Sequence, residues 1–209
     1  MPVTKWFTIW SLTVPSSWLA LLLAFLLSYI AVRFLYGKQE ADLVSDSIFW
    51  LVLVWKLSVI VTDFQTVLSA PLSILYFHGG VVGFFLGLIV MIMKLFRERG
   101  KGHIGMASIV TAWIVALSVF QVAMAALNPG DTLGRWMTAV IFTLFLIVYY
   151  KKRTNLTVGS WIVLAAAVHI FGASFQPDGL LGIPLAVTVV VSLALMVLFQ
   201  RVPRSGEIV

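Results

Sequence analysis

The chain has 209 residues, 61% of them hydrophobic and 11% charged, with a mean hydropathy of +1.07. One soluble domain cannot hide so much apolar surface, so a water-soluble globular class is excluded. The formal charge of +6 is distributed over helix ends and not pooled in one run, which excludes a nucleic-acid surface; the lack of cysteine excludes thiolate catalysis, Fe–S ligation and cysteine lipidation.

Several apolar segments are long enough to cross a hydrocarbon layer of about 30 Å. Backbone polar groups in lipid must be satisfied within their own segment, so these segments are predicted helices, and the alternation of a membrane barrel is missing. At the N-terminus, Trp6-Phe7-Thr8-Ile9-Trp10 is aromatic-rich and suited to the lipid–water interface, and residues 1–16 are read as an interfacial segment. Lys5 is the single basic residue ahead of the first apolar block and no small-residue cleavage pattern follows it, so no cleaved signal peptide is expected.

Seven membrane helices are then expected over 17–36, 43–62, 76–96, 104–127, 133–150, 157–175 and 180–200, with a tail over 201–209. The fold class is an all-α polytopic membrane protein built as one membrane domain. Arg33, Lys38, Lys94, Arg97, Arg99, Lys101, Lys151, Lys152, Arg153, Arg201 and Arg204 fall on one side of this topology, eleven of the fourteen basic residues. The positive-inside rule makes that side cytoplasmic, with the N-terminus outside and the C-terminus inside. An odd number of helices requires termini on opposite sides, which agrees with the charge pattern.

The run Tyr76-Phe77-His78-Gly79-Gly80 opens the third segment. An ionisable ring at the mouth of a membrane helix is a site hypothesis, and glycines at 79, 80, 83 and 87 let other backbones come close. The topology brings Asp63, His78, His169, Gln176 and Asp178 toward the outer leaflet, with Lys56 within the second helix, seven residues before Asp63 and on about the same face. A lysine at a helix centre costs roughly 2.5–3.5 kcal/mol on insertion scales, so Lys56 either holds an anionic group or pairs structurally with Asp63 or a carbonyl. His78 with Asp63 or His169 forms a candidate general-base pair; the alternative is that each ring bonds a neighbouring carbonyl or water. Gly100-Lys101-Gly102-His103-Ile104-Gly105 has GxGxxG spacing but follows a membrane helix, so it reads as a basic turn. Asn155-Leu156-Thr157 falls on the cytoplasmic side and is no glycosylation acceptor. Without thiolates or clustered carboxylates, no metal site is expected.

From about residue 40 to 200 the chain resembles prolipoprotein diacylglyceryl transferase, a bacterial enzyme that moves a diacylglyceryl group from phosphatidylglycerol to a lipobox cysteine. Ala41-Asp42-Leu43-Val44-Ser45-Asp46 is similar to the start of that family's second helix, and Trp55-Lys56-Leu57 stands where the family has Ala-Arg-Leu. Pro71-Leu72 followed by Phe77-His78-Gly79-Gly80 is like its Pro-Leu and Ser-Phe-His-Gly-Gly, and Phe175-Gln176-Pro177-Asp178 resembles its Arg-x-Pro-Asp. The family signature Gly-Arg-x-Gly-Asn-Phe-x-Asn-x-Glu is replaced by residues 118–128, which contain neither arginine nor glutamate. The family's outer arginine in the sixth helix corresponds to His169, its acid to Gly172 or Ala173, and its long outer arm is short here.

The resemblance implies catalytic positions at His78 and His169 and lipid-binding positions at Lys56, Asp63, Gly79 and Gly80. It implies no cofactor, and as partners a membrane phospholipid and a membrane or lipoprotein partner in the bacterial cytoplasmic membrane. Arginines there would bind phosphate bidentately and stabilise growing charge, and loss of one such donor costs about 10²–10³ in rate. The expectation is a lipid-binding, transferase-like protein degenerate at its signature. One alternative is an active transferase with a rebuilt site, in which Lys56 holds the phosphate, His78 acts as base and His169 stabilises the leaving group. The other is an electron-transfer subunit with haem held by His78 and His169.

Overall fold

The computed structural model describes residues 5–9, 12–69 and 78–201. The chain is predominantly helical: α1 (Ser16–Tyr36), α2 (Lys38–Leu57), α3 (Val59–Thr62), α4 (Phe64–Ser69), α5 (Gly80–Gly100), α6 (Met106–Leu127), α7 (Thr132–Lys152), α8 (Val158–Ala173) and α9 (Ile183–Arg201). Among the described residues, six spans are long and apolar enough to cross a membrane, namely α1, Lys38–Thr62, α5, α6, α7 and Ile183–Gln200. They make the chain a multi-pass membrane protein. The remaining apolar segment, α8, has 16 residues and is about 24 Å long at about 1.5 Å per residue.

Boundaries follow local chemistry. Gly37, at φ 95°, ends α1. The Asp131 carboxylate caps α7 by accepting from the N–H groups of Leu133 and Gly134 at 3.3 and 2.7 Å, and the Thr157 hydroxyl caps α8 through the Ser160 N–H at 3.2 Å. The second predicted helix differs most from expectation. It starts at Lys38, where a loop was expected, and breaks at Ser58, whose hydroxyl donates to the Trp55 carbonyl at 2.7 Å. A further break falls at Asp63, with φ −142° and ψ 55°. The third begins at Gly80 and not at 76; Tyr76, Phe77, Pro71 and Leu72 lie outside the described residues, as do Trp10 and Arg204.

The chain divides into two compact units, Met1–Lys38 with Met106–Val209, and Gln39–Gly105. In the first, α1 packs antiparallel on α6, which also meets α7, α8 and α9. The buried positions of α1 are Ser16, Ala20, Ala24, Ser28 and Val32, one stripe of small residues every fourth position. Such a stripe allows the close helix approach that holds membrane bundles together. Ala20 meets Met124 and Ala125 there, flanked by Phe120 and Ala123, and the Ser28 hydroxyl lies within bonding distance of the Ala24 and Ala112 carbonyls at 2.6 and 3.1 Å.

The N-terminal segment adds a feature that helical periodicity does not announce. β1 (Trp6–Ile9) pairs antiparallel with β2 (Leu12–Pro15), with Trp6 opposite Pro15. Asn128 ties this hairpin to the end of α6: its Oδ1 accepts from the Lys5 N–H at 3.2 Å and the Ser16 hydroxyl at 2.7 Å, while its Nδ2 donates to the Met124 carbonyl at 3.0 Å.

In the second unit, α2 and α5 meet through glycines. A Cβ on Gly79 or Gly83 would lie 1.9 Å from Ser58 Oγ, and one on Gly87 would lie 2.4 Å from the Leu51 carbonyl oxygen. The stripe 79/83/87 is therefore a packing face toward Leu51, Trp55 and Ser58.

Candidate functional site

The two sequence-predicted histidines belong to different units, and each has its own surroundings. In the second unit, His78 stands just ahead of α5, half-buried. The Gly80 N–H donates to its Nδ1 at 3.0 Å. That bond needs the chain to turn back at Gly80, whose φ of 59° lies in the left-handed region that favours glycine. The two glycines after His78 thus have separate reasons: Gly79 admits Ser58, and Gly80 supplies the turn. Trp55 holds the ring from the other helix. Its indole lies 4.9 Å from the imidazole, centroid to centroid, and its Nε1–H donates to the Gly80 carbonyl at 2.9 Å. The Gly79 N–H in turn donates to the Trp55 carbonyl at 3.2 Å.

Lys56 follows Trp55, half-buried one residue before the end of α2. Burial lowers the His78 pKa from its ordinary value, and the Lys56 charge lowers it further. His78 is thus a neutral imidazole near pH 7. Because Nδ1 accepts from Gly80, its proton resides on Nε2. The ring presents Nε2–H as a donor, and acting as a base through Nδ1 requires release of Gly80. Asp63 is exposed in the turn between α3 and α4. Between Lys56 and Asp63 the chain keeps helical bonding through Ser58, whose N–H donates to the Val54 carbonyl at 2.9 Å and whose carbonyl accepts from the Thr62 N–H at 2.9 Å.

In the first unit, His169 of α8 is 1% exposed, beside Gln121 and Thr188, each 0%. Gln176 Nε2 donates to Gln121 Oε1 at 3.0 Å, so Gln121 turns its amide Nε2 to His169 Nε2, 2.7 Å away. The other ring nitrogen, Nδ1, lies 2.6 Å from the Thr188 hydroxyl, which itself donates to the Pro184 carbonyl at 3.1 Å. The donors and acceptors balance in one way: Nε2 accepts, Nδ1–H donates, and the ring is neutral. Phe142 packs edge-on against it with centroids 5.6 Å apart. Both nitrogens are engaged, so His169 offers no lone pair to a proton or a haem iron unless the network opens. Sequence reading found His169 and missed Gln121 and Thr188; the available signal was a glutamine inside a 22-residue helix that carries no charged residue.

The GxGxxG stretch is a turn organised by Glu98, which binds the Lys101 ammonium at 3.2 Å and His103 Nδ1 at 2.8 Å. Gly102 turns the chain there at φ 76°, and the Gly105 N–H donates to Glu40 at 3.0 Å. Nearby, Gln39, Asp42, Leu43, Asp46 and His103 line a cleft of about 440 Å³, where Asp46 pairs with Lys94. No family model, curated protein or solved structure matches this chain.

Proposed function

We propose that this chain is a phospholipid-binding protein of the bacterial cytoplasmic membrane, a divergent relative of prolipoprotein diacylglyceryl transferase that no longer transfers the acyl-bearing group. It crosses the membrane seven times, with the N-terminus outside and α8 as the short seventh span. The observation that carries the reading is the His78 ring held against Trp55, the chain neighbour of Lys56, with its Nδ1 closed by the Gly80 amide. A cation and an imidazole N–H donor beside one turn suit the oxygens of an anionic headgroup such as that of phosphatidylglycerol. The same geometry supports binding without transfer. The His78 lone pair is occupied by the Gly80 amide, and the guanidinium groups that would stabilise a departing phosphoglycerol are missing from residues 118–128. Gly79 and Gly80 shape the site through the close approach of Ser58 and the positive φ, Asp63 joins the lipid-binding positions by the resemblance alone, and a membrane or lipoprotein partner is the natural recipient of a held lipid.

Native mass spectrometry of the detergent-purified protein tests this. Phosphatidylglycerol should be retained over phosphatidylcholine, and Lys56→Gln should reduce that preference by about 10-fold, the worth of one charge-assisted bond of roughly 1.5 kcal/mol. Equal retention of both lipids would sink the binding reading. With labelled phosphatidylglycerol and a lipobox peptide no thioether product should form; a product lost in His78→Gln would establish an active transferase instead.

A further inference from the structure

Hydroxyl side chains within these membrane helices have a default partner, the carbonyl four residues earlier on their own helix. Ser28 bonds Ala24, Thr111 bonds Ala107, Thr138 bonds Gly134 and Thr188 bonds Pro184, all at 2.6–3.1 Å. Ser118 of α6 and Ser192 of α9 depart from it. They are 0% and 8% exposed, and neither Oγ has a hydrogen-bond partner among the described residues. A buried hydroxyl left unpaired is costly, and water is the usual partner when the protein supplies none.

Helix geometry puts the two serines at similar depth on helices that touch. Gln121, His169 and Thr188 are joined by bonds of 2.7 and 2.6 Å and so define a level across α6, α8 and α9. α6 and α8 run toward that end of the unit and α9 runs away from it, so Ser118, Ala165 and Ser192 all lie on the same side of the level. Three residues of helix displace Ser118 by about 4.5 Å, and four displace Ala165 and Ser192 by about 6 Å. Residues three or four apart share a face, so both serines lie on the faces that carry Gln121 and Thr188. On the same side of that level α8 contributes Ala165, fully buried and with the smallest side chain that a chiral residue has.

We infer that one water molecule binds between Ser118 and Ser192, a turn below His169, and bridges α6 to α9. It continues the polar column that begins at Gln176 and passes through Gln121, His169 and Thr188. The site is independent of His78 and Lys56, so its test is separate from the lipid-binding reading.

A double-mutant cycle on the full chain, read by thermal unfolding in detergent, tests it. Ser118→Ala and Ser192→Ala should each lower Tm by about 2–4 °C, the shift expected for loss of one hydrogen bond in a chain of this size. The double variant should fall no further than the worse single one, because both hydroxyls serve the same water. Additive losses, or single variants with unchanged or raised Tm, would overturn the inference. A structure that resolves core waters gives the direct reading: density about 3 Å from both Oγ atoms supports the site, and its absence there overturns it.

Discussion

Burial and the charge of a neighbouring lysine both lower the pKa of the His78 imidazole, and their shares are measurable. Burial is the larger cause of its lowered pKa and the Lys56 charge the smaller. With a folded-state pKa below the value of about 6.5 of an unperturbed histidine, the unfolded chain takes up the proton first as pH falls. This contribution to stability is complete above the unfolded pKa, is lost as pH falls through the window between the two values, and changes no further below the folded one. Lys56→Gln should raise the His78 pKa and narrow the window without closing it, because burial remains. A histidine-labelled NMR titration in micelles, with Tm followed against pH, checks both; an unmoved His78 titration would remove Lys56 from the site. At this scale the sequence made His78 and His169 visible as ionisable groups in apolar segments. It could not show where their protons reside, because that depends on Gly80 at its unusual φ and on Gln121 and Thr188, which lie 48 and 19 residues from His169.

At the scale of elements, the glycine stripe of α5 was readable as either a packing face or part of a site, and its close approach to α2 assigns the former to 79, 83 and 87. Two substitutions distinguish the kinds of contact involved. Gly83→Ala would drive a Cβ into Ser58 Oγ, a side-chain atom that can be removed, with Ser58 Cβ next at 3.1 Å. Gly87→Ala meets the Leu51 carbonyl, which cannot be removed. Each should destabilise by about 1–3 kcal/mol, the range for overpacking. Adding Ser58→Ala should recover most of the loss for Gly83→Ala and none for Gly87→Ala in thermal unfolding; equal recovery would mean that the α2 backbone yields. Hydropathy located α2 but not its breaks. The Ser58 hydroxyl offers the Trp55 carbonyl a local partner, a competition invisible to a pattern of apolar residues. The hairpin escaped the helical reading for a related reason: its register rests on four paired positions and on Asn128, far along the chain.

For the whole molecule, the proposed orientation predicts which loops face outward. The chain has no cysteine, so single substitutions report cleanly. Gly130→Cys, where a Cβ meets open space, should react with an impermeant maleimide on intact cells, and Asn155→Cys should react only after permeabilisation. The reverse pattern would invert the topology and move His78 to the cytoplasmic face. The sequence by itself determined that the protein is a polytopic helical membrane protein, where its apolar segments lie and on which loops its positive charge gathers, because lipid imposes helix length and backbone satisfaction on any chain that enters it. Only the tertiary structure decided that Gly79, Gly83 and Gly87 serve packing, that the His78 lone pair is held by a backbone amide and that His169 is closed within a hydrogen-bonded column. Those outcomes depend on which donor meets which acceptor across helices distant in sequence, and hydropathy carries no record of that pairing.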